Sequence, residues 1–156
     1  MKLRGIIVTL LMAGSLAPSA IAQSSVTATS TDQYVPRLGD IMNTVQTRHI
    51  KLWLAGKAQN WDLVAYELRQ LKAGLLESAV LYEGIPVSNV TTMTQPVQSI
   101  SDAVDAKDGK GFAKALGELT DGCNACHQQM QRGYIVIQAP TAALFGDQSF
   151  APPKKP

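Results

Sequence analysis

The sequence predicts an all-α protein, an antiparallel four-helix bundle followed by an extended C-terminal strap. Three observations carry that expectation. Four stretches between residues 36 and 132 place apolar side chains at helical spacing, with short polar breaks between them. In the second stretch Trp61, Leu68, Leu75 and Tyr82 recur every seven residues, with Val64 and Leu71 between them. Such a 3-4 alternation is the seam of helices packed in a left-handed bundle. Beyond Gly133 the helical period stops, and Pro140, Gly146, Pro152 and Pro153 keep the remaining chain extended.

Taken in order, Met1 to Arg4 is a short positive segment and Gly5 to Leu16 a mainly apolar one, with Ala20-Ile21-Ala22 reading as a small-x-small cleavage site. Residues 1–22 are therefore expected to be a secretory signal peptide, removed after Ala22, which places the mature chain in the periplasm. An uncleaved N-terminal anchor is the alternative, although the apolar run is short for a membrane span. Residues 23–35, rich in Ser and Thr, read as a flexible leader.

Pro36 introduces the first helix, from Arg37 to about Lys57. Leu38, Ile41, Met42, Val45, His49, Leu52 and Trp53 share one broad face of it. Asn60 is placed to cap the second helix, from Trp61 to Tyr82, which Gly84 and Pro86 end. Residues 85–95 read as a loop. Gln95-Pro96 opens a third helix with Val97, Ile100, Ala103 and Val104 inward, fading near Asp108-Gly109. The fourth runs from about Lys110 to Gln131, with Phe112, Leu116, Leu119, Cys123, Cys126 and Met130 on its inner stripe. Residues 133–156 form the strap, anchored by Leu144, Phe145 and Phe150, with Lys154 to Pro156 expected to be disordered.

Composition narrows the function classes. Loss of Lys2 and Arg4 with the signal peptide takes the 14 basic residues to 12, equal to the 12 acidic ones. A neutral chain without a Lys/Arg cluster argues against nucleic acid as a partner. About 134 mature residues suffice for one domain with a substantial core.

Both cysteines fall in Cys123-Asn124-Ala125-Cys126-His127, a C-x-x-C-H sequence that is the attachment pattern for c-type haem. Two thiols about one helical turn apart can add to the two vinyl groups of one porphyrin, and the adjacent imidazole can reach the iron. The expected cofactor is thus a single covalent haem c, with Cys123 and Cys126 as thioether residues and His127 as the proximal ligand. Export agrees with that chemistry, because this haem is attached outside the cytoplasm. A redox dithiol and a structural disulfide are the competing readings. A zinc site is one ligand short, since His49 is the only other histidine.

The secretory leader, four amphipathic helices and C-x-x-C-H on the last of them resemble the class II c-type cytochromes, the cytochrome c′ group. The resemblance covers residues 36–132. It implies an up-down-up-down bundle, haem carried by Cys123, Cys126 and His127, and a homodimer paired through the first two helices. The long tail after the motif and the segments around His49 to Trp53 and Asn60-Trp61 depart from that group.

Function then turns on the far side of the iron. Low-spin members of the resembled group use a methionine from the start of the first helix, which here is Met42; Met/His ligation raises the reduction potential. His49, seven residues further along the same face, is the alternative sixth ligand, a propionate partner or a distal donor. An open position guarded by Leu38, Ile41 or Val45 is the third outcome. Arg37 and Arg132 are candidates to pair with the propionates, and Trp53 and Trp61 could pack near the porphyrin.

The leading expectation is a non-enzymatic carrier of single electrons between periplasmic redox proteins, with no small-molecule substrate. A high-spin protein binding nitric oxide or carbon monoxide is the alternative, as is a haem subunit docking on a larger oxidoreductase through residues 134–150.

Overall fold

A computed structural model describes residues 34–142 and 145–153. The expected signal peptide, most of the leader, Leu144 and the last three residues lie outside the described residues. The chain is all-helical there, with four long helices and one short one. These are α1 (Leu38–Lys57), α2 (Trp61–Leu81), α3 (Val87–Thr91), α4 (Thr94–Asp105) and α5 (Gly109–Gln129). No helix among the described residues is long and apolar enough to cross a membrane.

The stripes read from the sequence become one core. Ile41, Val45 and Leu52 of α1, Val64, Leu68 and Leu71 of α2, Ile100 and Ala103 of α4, and Phe112, Leu116 and Leu119 of α5 are all buried in it. Their removal from water is the main favourable term in folding. α1 packs along α2 and α4 along α5, while α2 also meets α4 and α1 meets α5.

Side-chain contacts give the directions. The Tyr82 hydroxyl, just past α2, donates to the Pro36 carbonyl before α1 at 2.7 Å, and Arg48 pairs with the buried Glu67 at 3.1 Å midway along. α1 and α2 are therefore antiparallel. Gly56 of α1 lies against the Phe112 ring of α5, and His49 of α1 bonds Thr120 of α5. Moving back along α1 therefore means moving forward along α5. Seven residues further in each helix, that register brings Met42 level with His127.

Three long helices end in the same way. The residue two beyond the cap sends its N–H back to a carbonyl five positions earlier: Asn60 to Ala55, Asp108 to Ala103 and Arg132 to His127, at 3.0, 2.8 and 2.7 Å. This Schellman turn needs a left-handed residue, a place that favours glycine. Here Gln59, Lys107 and Gln131 occupy it at φ 54°, 53° and 56°. Asn60 and Asp108 then cap the next helix, accepting from Leu63 N at 3.3 Å and Lys110 N at 3.0 Å. One pair of turns thus ends a helix and begins its successor.

Two expectations are corrected. Residues 85–95 are not a plain loop, because Val87–Thr91 form α3. Its end is tightened by Thr91 and Thr92 hydroxyls donating to the Ser88 and Asn89 carbonyls, both at 2.8 Å. Trp53 and Trp61 belong to the end of the core away from the motif. Trp61 meets Phe112 edge-on with centroids 6.2 Å apart, and Trp53 carries Lys57 over its ring at 5.5 Å.

After α5 the chain is irregular and extended. Phe150 packs against the core, the Asn60 amide donates to the Ala151 carbonyl at 3.2 Å, and Lys51 sits over the Phe145 ring at 4.8 Å.

Candidate functional site

α5 is apolar on its inner stripe as far as Leu119, and the same stripe then presents two thiols. Cys123 and Cys126 occupy the last two turns of the helix, half-buried and free. Both face a cavity of about 500 Å³ between the start of α1, the end of α5, α3 and the segment after α5. That volume lies within the range of small-molecule and cofactor sites.

α1 contributes Leu38, Met42, Val45 and His49 to its wall. Leu75, Ile85, Val90 and Met93 form the side contributed by α2, α3 and their neighbours. Met130, Ile135 and Ile137 close it beyond the motif. Arg132, at the rim, is the one lining residue with a permanent charge. An apolar chamber with a single cation at its edge suits a ligand that is apolar over most of its surface and anionic at one side.

The chemistry of the donors is specific. Burial pushes the Cys123 thiol up to about 11, with the neighbouring Cys126 charge adding to the rise and a backbone hydrogen bond opposing it. It is protonated at neutral pH. A redox dithiol needs the reverse, a thiol acidified by a helix N-terminus or a nearby cation. Here the pair sits near a helix C-terminus. The Asn89 amide of α3 approaches Cys126 Sγ at 3.8 Å.

His127 is oriented by the chain that follows it. Its Nδ1 lies 2.8 Å from the Ile135 carbonyl. A carbonyl can only accept, so Nδ1 carries a proton, and in the neutral ring the lone pair is then on Nε2. That is the tautomer a metal-binding imidazole requires when its other nitrogen holds a backbone oxygen.

His49 is arranged differently. It is buried, and its Nε2 lies 2.8 Å from the Thr120 hydroxyl. That hydroxyl donates to the Leu116 carbonyl at 2.8 Å, so it accepts from His49 Nε2–H. Nδ1 then carries the lone pair, buried and without a hydrogen-bond partner. Burial lowers the pKa of this imidazole below 6.5, keeping it neutral. His49 thus ties α1 to α5 beside the cavity, and any role for Nε2 as a ligand first breaks the bond to Thr120.

Cys123, Cys126, His127, Met42, His49 and Arg132 are brought to one cavity. Arg37 is not among its lining residues. The Arg37 side chain is exposed and its Nε donates to Asp40 Oδ2 at 3.0 Å, a pairing that the first turn of a helix makes available at i,i+3. Ile41 is in the core rather than at the wall. Among the described residues no three His, Cys, Asp or Glu side chains are grouped for a bare metal ion.

Sequence reasoning missed Ile85, Asn89 and Met93. Met93 is buried, and its thioether packs so closely on α5 that a Cβ at Gly122 would meet Sδ at 2.7 Å. A glycine one residue before the motif was the available signal, since it permits that approach. Comparison with known proteins found no matching family model, no curated relative and no matching solved structure.

Proposed function

We propose that this chain is a periplasmic monohaem c-type cytochrome, an antiparallel four-helix bundle whose last segment straps back across the haem edge. The observation that carries the reading is the meeting, at one apolar cavity, of two thiols one helical turn apart with an imidazole whose Nδ1 is held by the Ile135 carbonyl. Bound there, haem c supplies reversible one-electron exchange at its iron. Class II c-type cytochromes are the group it resembles in architecture.

The chain's own residues divide the work. Cys123 and Cys126 would hold the porphyrin covalently, and His127 would offer Nε2 to the metal. Arg132 at the rim presents a guanidinium to carboxylates. Leu38, Val45, Leu75 and Ile85 exclude water and lower the local dielectric, which sharpens the influence of every nearby charge on the potential. Met42, level with His127 on the facing helix, offers a thioether from the opposite wall. The protein is then a carrier between redox partners and performs no substrate chemistry.

A second reading, a gas-binding haem protein, has one observation in its favour. Of the wall formed by α1, only Met42 and His49 carry a soft or imidazole donor, and His49 Nε2 is already bonded to Thr120. Met42 and the unpartnered His49 Nδ1 are then the α1 groups that would close the distal side, and with neither engaged it would be open to a gas.

Pyridine haemochrome assay and visible spectra of the reduced protein with carbon monoxide test both. The carrier reading expects a c-type haemochrome, a low-spin spectrum and slow carbon monoxide binding that becomes fast in Met42→Ala. A high-spin wild type with fast binding supports the second reading. Absence of a haemochrome defeats both.

A further inference from the structure

The second residue of the motif, Asn124, does something the attachment pattern does not require. Its carboxamide reaches across to the extended segment beyond α5 and makes two hydrogen bonds with one residue. The Ile137 N–H donates to Asn124 Oδ1 at 2.7 Å, and Asn124 Nδ2 donates to the Ile137 carbonyl at 2.9 Å. A side-chain amide here satisfies both backbone groups of a residue that has no neighbouring strand.

Between α5 and that clamp lies a short, closed course of chain. Arg132 N–H returns to the His127 carbonyl at 2.7 Å, and Ile135 N–H donates to the Arg132 carbonyl at 2.8 Å. The Ile135 carbonyl then accepts from His127 Nδ1. Tyr134, Ile135 and Val136 are otherwise exposed, so little apolar burial holds the segment in place.

We infer that Asn124 is a positioning residue for His127: by clamping Ile137 it holds the Ile135 carbonyl as the acceptor that fixes the tautomer and angle of the imidazole. The inference rests on the cytochrome reading for the role of His127, while the clamp itself is a property of the polypeptide. A carbonyl on Nδ1–H makes Nε2 a stronger donor, which favours the oxidised metal. Loosening the clamp weakens that bond and shifts the midpoint potential upward.

The test uses full-length protein purified from an exporting host, as wild type, Asn124→Ala and Asn124→Asp. Three quantities are read: hydrogen exchange of the peptide spanning residues 133–138, solvent exchange of the His127 Nδ1 proton by NMR in the reduced state, and the midpoint potential. In Asn124→Ala both exchange rates are expected to rise at least tenfold and the potential to move up. Asn124→Asp keeps the acceptor for Ile137 N–H and loses the donor, so it falls between.

Faster exchange at residues 133–138 with an unchanged Nδ1 proton and potential overturns the inference, leaving Asn124 a local fastener only. No change in any quantity overturns it as well. A wild type lacking the added mass of haem instead overturns the cytochrome reading and with it the ligand role. The peptide exchange contrast then reports on the clamp separately.

Discussion

α1 and α5 run beside each other and make opposite use of their two ends. At one end Gly56 lies so close to Phe112 that a Cβ would collide with the ring. Leu52, Leu116 and Leu119 are fully buried there. At the other, the same stripes carry Met42, Cys123, Cys126 and Met130 and stand apart around the cavity. The boundary between the two is the His49–Thr120 hydrogen bond. Close packing at the first end supplies stability, while the second end gives up that cohesion for a cavity.

The contrast is broken most strongly by truncating the closed end. Phe112→Ala should cost about 3–5 kcal/mol, the range for emptying a large buried aromatic site. Met130→Ala, on a residue already bordering a void, should cost about 1 kcal/mol or less. Urea unfolding of the two variants checks both, and equal costs would remove the distinction. Gly56→Ala should lose about 1–3 kcal/mol through overpacking against Phe112, visible as a lowered midpoint at unchanged slope.

The boundary can be sharpened next. Thr120→Val deprives His49 of its acceptor and leaves a buried N–H unpaired, at a cost of about 1–3 kcal/mol. His49 also sets a pH dependence. The folded chain holds it neutral because burial lowers its pKa, whereas the unfolded chain takes up a proton near 6.5. Its contribution is therefore complete above about pH 6.5, erodes as the pH falls below that, and levels once the folded form is protonated as well. Unfolding free energies measured between pH 7.5 and 5.5 should fall less steeply in His49→Leu than in the wild type.

The smallest effect concerns the turns that both ends share. Lys107→Gly relieves a left-handed, β-carbon-bearing residue and should stabilise by about 0.5–1 kcal/mol, read as a rise in melting temperature.

The long helices were legible because each buries a stripe over several turns, and a period repeated that often stands out from its neighbours. α3 was not, because five residues hold no full repeat. Its ends depend on Thr91 and Thr92 bonding nearby carbonyls, a habit these residues also show in turns. The motif was legible from its spacing, and Met42 and His49 from one shared helix face that an antiparallel arrangement brings towards the end of the last helix. The register that sets Met42 level with His127 came from the His49–Thr120 contact. Arg37 lies outside the cavity lining and pairs instead with Asp40, one helical turn away, a local choice that helical periodicity does not reveal. The clamp by Asn124 was invisible for a different reason. It joins residues 13 apart across a helix end, and nothing in an apolar run such as Ile135-Val136-Ile137 names the side chain that will satisfy its backbone.

On the proposed reading Cys123 and Cys126 are a covalent anchor rather than a pair of core thiols. Its most direct test is tandem mass spectrometry of the peptide containing Cys123 to His127, from protein secreted by a host competent in haem attachment. The expected result is one haem added to that peptide with both thiols unreactive to alkylation, and no added haem in the Cys123→Ser, Cys126→Ser double variant. A bare peptide whose cysteines alkylate fully, or a simple disulfide between them, would contradict it.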